Sequence, residues 1–250
     1  MRPFLAAIII SLSLSSTLAS AEQITVAVAA NFKPALASLL PAFEQETGHQ
    51  VKLSSASTGI LYAQITKGAP FAIFFAADSK RPLRLEQQQL IRPGSRATYA
   101  FGQIAVISQQ PQMSQAQLIE QMRSATLAIA NAQTAPYGVA AEQLLHCWGL
   151  DARLSDAVRA NNIAQVLHYA ASKTVDVAVI SQSQWPQLQA SGKDNGWYHY
   201  DVPHSCYQPI EQQMAVLDSQ SAAAQALHDY LLRPSTQQQL RHWGYRAASN

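Results

Sequence analysis

Apolar and polar positions along the chain alternate between short β-prone runs and stretches with a helical repeat. Ile24-Thr25-Val26-Ala27-Val28-Ala29-Ala30 reads as a strand covered on both faces. Asn31 follows as a helix N-cap with Pro34 in the first turn, and Leu36, Leu39, Leu40 and Phe43 recur at helical spacing until Thr47-Gly48-His49. Val51 to Ser54 is a second strand. Ser57-Thr58-Gly59 opens a second helix carrying Ile60, Leu61 and Ile65, Gly68-Ala69-Pro70 closes it, and Ala72 to Ala76 is a third strand. After a middle segment the alternation returns. Strands are expected at Gly102–Ser108, Leu127–Ala130 and Val175–Ile180, with a long β-prone stretch from Tyr207 to Leu217. Helices are expected after Pro136-Tyr137-Gly138, over Ile163–Ala171 behind Asn161-Asn162, over Ala222–Leu232, and over Thr236–Trp243. Strands alternating with helices predict parallel pairing and an α/β fold. Two such units without a flexible linker predict two lobes facing across a cleft.

The first 21 residues change the picture of where this chain works. Arg2, the apolar stretch Phe4–Ile10, a Ser/Leu run and Ala19-Ser20-Ala21 have the layout of a cleaved secretory signal, too short and too rich in Ser to span a bilayer. The mature chain is then expected to begin at Glu22 outside the cytoplasm, in a bacterial periplasm if the source is Gram-negative. That compartment permits a disulfide, for which Cys147 and Cys206 are the only candidates. A formal charge of +2, lowered by one when Arg2 leaves with the signal, argues against nucleic acid as a partner. With 48% hydrophobic residues the chain is not disordered.

Candidate chemistry lies in the junctions. In open α/β sheets ligands bind beyond the carboxyl ends of strands. Ala30-Asn31-Phe32, Ser57-Thr58-Gly59, Pro136-Tyr137-Gly138 and Asn162-Ile163 each place unpaired backbone N–H groups at a helix start, a collection suited to an anion. Only Lys33 brings a cation near them. A site of neutral dipoles can hold a small anion provided every oxygen meets a donor. With about 1.5–3 kcal/mol per hydrogen bond to a charged group, some seven donors would offer roughly 10–20 kcal/mol before desolvation.

Rival readings are weaker. Tyr198, His199, Tyr200, Asp201, His204, Cys206 and Tyr207 include ligands for ferric iron, but Trp197–Tyr200 also reads as a strand that turns His199 and Tyr200 to opposite faces. A phosphate site would want a carboxylate acceptor, for which Asp78 is the candidate, although it reads more readily as a loop cap. Sulfate shares the charge and shape of larger tetrahedral dianions, and only cavity size would separate them. No nucleophile elbow, S-x-x-K, H-E-x-x-H or Walker loop is present, and the histidines are scattered, so an enzyme is not expected.

Four segments also carry a family resemblance: Val28-Ala29-Ala30-Asn31-Phe32; Ser54 to Gly59 with Leu61-Tyr62-Ala63-Gln64-Ile65; Gly68-Ala69-Pro70 running to Phe74-Phe75-Ala76-Ala77-Asp78; and Ala135-Pro136-Tyr137-Gly138. In these, from Glu22 to about Tyr245, the chain resembles the periplasmic molybdate-binding proteins of ABC transporters. The resemblance implies a two-lobed type II periplasmic binding fold. Its lobes would comprise residues 22–100 with 216–250, and 101–215, with crossings near Tyr99 and Gln213. It also implies a monomer that holds molybdate, and tungstate, in the cleft without a cofactor and delivers it to a membrane permease. By position, Asn31 would donate from side chain and backbone, Thr58 from its hydroxyl beside Ser57, and Tyr137 and Ile163 from backbone N–H groups. Ala30 and Ser181 are further candidates. Many members carry Ser where this chain has Asn31, and a Tyr hydroxyl where it has Ser181.

Overall fold

The computed structural model describes residues 21–111 and 113–246. The expected leader over 1–21 lies outside them except for its last residue. Two five-stranded sheets organise the chain. The first has the order β2-β1-β3-β10-β4, from β1 Gln23–Ala29, β2 Gln50–Ala56, β3 Ile73–Phe75, β4 Ala97–Gly102 and β10 Ile210–Val216. The second has the order β7-β6-β8-β5-β9, from β5 Ile104–Ser108, β6 Leu127–Ala130, β7 Val158–Ala160, β8 Val177–Ser181 and β9 Tyr198–Asp201. In the first sheet β1 pairs in parallel with β2 and β3, whereas β10 runs antiparallel between β3 and β4.

The period of two along β1 sorts its side chains onto two cores. Ile24, Val26 and Val28 pack with α1 (Lys33–Thr47) and α8 (Ala222–Leu232) through Leu36, Leu39, Phe43 and Leu227. On the other face, Ala27 packs with Leu61 and Ile65 of α2 (Thr58–Thr66) and Leu85 of α3 (Lys80–Gln87). A strand covered on both faces needs no polar alternation, which is why β1 is a continuous apolar run. The second sheet is covered in the same way by α4 (Gln115–Met122), α5 (Pro136–Cys147), α6 (Ile163–Ala171) and α7 (Gln184–Ala190), with α9 (Pro234–His242) returning to the first lobe.

The pattern of crossings differs from the sequence reading. The expected strand from Gly102 to Ser108 is broken at Gln103: Gly102 ends β4 in the first sheet and Ile104 begins β5 in the second. All of β10 belongs to the first sheet, so the return crossing lies between Asp201 and Ile210 rather than near Gln213. A run of β-prone residues does not say which sheet it joins. Three helices, α3, α4 and α7, were missed. Their Gln-rich and basic sequences bury few apolar side chains, Pro82 and Leu85 in α3, Leu118 and Met122 in α4, so the helical stripe is thin.

The two cysteines are joined. Cys147, at the end of α5, bridges Cys206 in the return crossing, with Cα atoms 5.4 Å apart. The bond ties this crossing to the helix whose first turn faces the other lobe. The bridged residues are 59 apart in sequence, so the bridge removes loop entropy worth about 4 kcal/mol from the unfolded chain. Replacing both cysteines by Ser should therefore lower the urea midpoint by up to that equivalent, measured on the oxidised protein and its variant side by side.

Candidate functional site

Four chain segments meet between the lobes. The turn after β1 brings Ala30 and Asn31, the start of α2 brings Ser57 and Thr58, the start of α5 brings Ala135, Pro136 and Tyr137, and the start of α6 brings Asn162 and Ile163. With Ala29 and Ala77 they line one small space. About 200 Å³ lies between its wall atoms, with about 10 Å³ open to the centre of a water-sized sphere. The smaller figure is about one water-sized sphere, against about 300–1,000 Å³ for the sites of organic ligands. No charged side chain lines it.

The wall is rich in donors that the protein leaves open. The backbone N–H groups of Asn31, Thr58, Tyr137 and Ile163 find no acceptor among the described residues. In α2, α5 and α6 this follows from helix geometry, since first-turn N–H groups have no intrahelical partner. Pro136 fits the first position of α5 because it has no N–H to lose. Asn162 caps α6 by accepting the Gln165 N–H at 3.0 Å, and Gln184 Nε2 donates to the Ile163 carbonyl at 2.8 Å, fixing that first turn. The Thr58 hydroxyl oxygen accepts the Ala77 N–H at 3.0 Å, which leaves its proton to donate. Ser57 Oγ is buried with no partner at all. An orphaned buried hydroxyl costs about 1–3 kcal/mol, and it points to a ligand that answers it.

Beneath the space lies a neutral layer shared by both lobes. Asn31 Nδ2 donates to Gln212 Oε1 at 2.8 Å and approaches the Tyr137 and Tyr245 hydroxyls at 3.3 Å. The Tyr245 hydroxyl donates to the Asn31 carbonyl at 2.9 Å. The Tyr99 hydroxyl donates to Gln212 Oε1 at 3.1 Å, and Gln212 Nε2 reaches the Tyr137 hydroxyl at 3.4 Å. A bulge between Gln212 and Gln213 re-aims this part of β10. Gly102 makes room: a Cβ there would lie 2.2 Å from the Tyr137 hydroxyl. Burial pushes the Tyr99 and Tyr137 hydroxyls well above the ordinary tyrosine range, with neighbouring tyrosines adding to it, and burial raises Tyr245 to about 12. The layer therefore stays protonated and uncharged near neutral pH.

Asn31, Ser57, Thr58, Tyr137, Ile163 and Ala30 all reach this one space. Their roles differ in part from the sequence reading. Asn31 is not the N-cap of α1; that position is Phe32, without a side-chain cap. The amide nitrogen of Asn31 is committed to the neutral layer, so its backbone N–H is the donor left for a ligand. The Ala30 N–H is taken by the Ala56 carbonyl at 3.0 Å, so Ala30 contributes wall and no donor. Ser181 is fully buried but does not line the space; its hydroxyl bonds that of Ser183 at 3.0 Å. Asp78 accepts the Arg81 N–H at 2.9 Å and pairs with its guanidinium, capping α3 outside the space. Lys33 is exposed. His199 bonds Gln182, Tyr200 donates to the Gln110 carbonyl, and Cys206 is bridged, so the residues weighed for iron are engaged elsewhere. Among the described residues no group of three or more His, Cys, Asp or Glu could hold a metal. Gln212, Tyr245, Gln184 and Ala77 were missed, since nothing local marks a residue that arrives from a distant segment.

Two α/β lobes enclosing a small, uncharged, donor-lined space define a solute-binding protein. The comparisons agree. The model for bacterial extracellular solute-binding proteins matches residues 24–246, and the chain belongs to that family. The molybdate-binding protein ModA of Azotobacter vinelandii is 38% identical over 232 residues, covering 91% of this chain and 91% of that protein. ModA of Rhodobacter capsulatus is 32% identical over 231 residues, covering 91% and 89%. The solved periplasmic molybdate-binding protein of Azotobacter vinelandii superimposes with a TM-score of 0.82 at 34% identity, over 90% of this chain and 100% of that one.

The neutral layer has two measurable consequences. Gln212→Leu removes the partner of Asn31 and of two tyrosines and should cost about 2–5 kcal/mol in urea unfolding of the empty protein. The raised Tyr245 sets a pH window. Below about pH 10 the hydroxyl is protonated folded or unfolded, and its full contribution is present. Between about 10 and 12 only the unfolded chain loses the proton, so stability should fall by about 3 kcal/mol from this group as pH rises. Urea midpoints at pH 8, 10 and 11 should show the decline, and Tyr245→Phe should flatten it.

Proposed function

We propose that this protein captures molybdate, and its near-isostere tungstate, as the bare dianion in the interlobe space, and carries it to an ABC permease in the inner membrane. The observation that carries the reading is the open donor set: N–H groups of Asn31, Thr58, Tyr137 and Ile163 with the hydroxyls of Ser57 and Thr58, around a space without a charged side chain. A dianion with acceptors on every oxygen answers such a wall. Helix N-termini add their dipoles to the bonds. A carboxylate on the wall would repel the ion, and none is there. Monohydrogen phosphate would bring an O–H that meets no carboxylate acceptor. The choice of molybdate draws on the ModA relatives, each matched over about nine-tenths of its length.

The work is binding and delivery, without turnover. Most wall residues are buried, with Pro136 and Asn162 half-buried, so a bound ion is largely shielded from water and each bond to it is stronger for that. The site residues, the lobe division, the permease partner and the monomeric state are parts of this reading. So is export to the periplasm, supported by the leader pattern of residues 1–21 and the Cys147–Cys206 bridge. No helix of the described residues is long and apolar enough to cross a membrane.

Calorimetric titration with molybdate, tungstate, sulfate and phosphate tests it. Molybdate should bind with a dissociation constant in the micromolar-to-nanomolar range, about −8 to −12 kcal/mol, with phosphate far weaker. Ser57→Ala and Thr58→Val should each weaken molybdate by about 1–3 kcal/mol, the loss of one donor to a charged group. At about 100 times its dissociation constant molybdate should add about 2.7 kcal/mol to unfolding stability. Unchanged affinity in both variants, or a preference for sulfate, would overturn the assignment.

A further inference from the structure

The space has mostly buried walls, with Pro136 and Asn162 half-buried, and lies between the two lobes, so the contacts along the seam between them bear on how long an ion stays. Two contacts cross from α2 and α3 to the loop that leads into α5. The Gly59 N–H donates to the Thr134 carbonyl at 2.8 Å. Arg81 Nη2 donates to the Gln133 carbonyl at 3.3 Å while its guanidinium is held by Asp78. Beside this seam lies a groove of about 460 Å³, lined by Asp78, Arg81 and Gln133 among others, which shares Ala77 and Pro136 with the donor-lined space.

Gly59 is placed to measure the closure. It follows Thr58 in the same first helical turn, and Thr134 precedes Ala135, Pro136 and Tyr137 in the opposing loop. One bond of 2.8 Å therefore joins the donor segment of one lobe to the donor segment of the other. A Cβ on Gly59 would lie 3.0 Å from both Cα and O of Thr134, and 2.9 Å from Arg81 Nη2. The arginine tip can swing aside, but the Thr134 backbone must retreat by a few tenths of an ångström. Its helical backbone does not require glycine, and alanine would favour the helix more. The position is glycine for clearance.

We propose that Gly59 is a positioning residue for anion retention: its N–H latches the lobes, and its missing side chain sets the distance at which Thr58 and Tyr137 face each other. The inference rests on the anion-binding reading above. A side chain here should act on release more than on capture, because the latch forms after the ion has entered.

The test uses the full mature protein loaded with molybdate and diluted into excess tungstate. Molybdenum retained after rapid desalting is then measured against time by mass spectrometry. Gly59→Ala keeps the N–H but pushes the Thr134 backbone away and weakens the bond, and should release molybdate up to about tenfold faster, with Gly59→Val faster still. Association should change by less than about threefold. Ile60→Ala, a neighbouring exposed side chain outside the seam, should behave as wild type. The melting temperature of empty Gly59→Ala should equal or exceed that of wild type, which separates a lost latch from a lost fold. Small-angle scattering with saturating molybdate should show the Gly59→Val protein less compact than wild type. Equal release from wild type and both Gly59 variants would overturn the latch while leaving the binding reading intact. A wild-type protein that takes up no molybdate would remove both.

Discussion

Helix starts carry N–H groups that the helix cannot satisfy, and here three helix starts and one turn discharge that debt into a single uncharged space. Each such group would normally be answered by water or a capping side chain. At Thr58, Tyr137 and Ile163 no protein group answers it among the described residues. The same space holds a buried Ser57 hydroxyl with no partner and a Thr58 hydroxyl whose oxygen is already occupied. A protein tolerates so many open donors in one buried place only when something with acceptors completes them.

The rest of the molecule keeps those donors aimed and that place free of charge. Asn31 is held at its amide by Gln212 and at its carbonyl by Tyr245, so its N–H has a fixed direction. Tyr137 serves both lobes: its N–H faces the space from α5, and its hydroxyl crosses to Asn31 and Gln212 in the first lobe. Burial keeps the tyrosines of this layer protonated, which matters because a phenolate below a dianion would repel it. The disulfide fastens the return crossing to α5, so the helix that supplies Tyr137 is anchored at both ends.

Donors drawn from two lobes make binding and closure one event. The segment around Thr58 and the segment around Tyr137 are complementary to an ion only at one separation, and the Gly59–Thr134 contact lies between them. Discrimination by size then depends on how far two rigid lobes approach as much as on which donors they carry.

Much of this was legible locally. The apolar run of β1, the helical spacing of Leu36, Leu39 and Phe43, and the starts of α2, α5 and α6 at Ser57, Pro136 and Asn162 all follow from residues within a turn or two of one another. A helix start fixes where open N–H groups are, so the junctions that hold Thr58, Tyr137 and Ile163 could be named in advance, while the family resemblance singled out those residues within them. The chain alone did not reveal which partners arrive from afar. Gln212 comes from a bulge in β10 and Tyr245 from the C-terminal end, 181 and 214 residues from Asn31, and they claim its side chain. Ser181 stood at a promising strand end, yet packing turned it to Ser183. Local sequence sets how many donors a segment offers; only the approach of segments distant in sequence decides which donors are spent within the protein and which remain for a ligand.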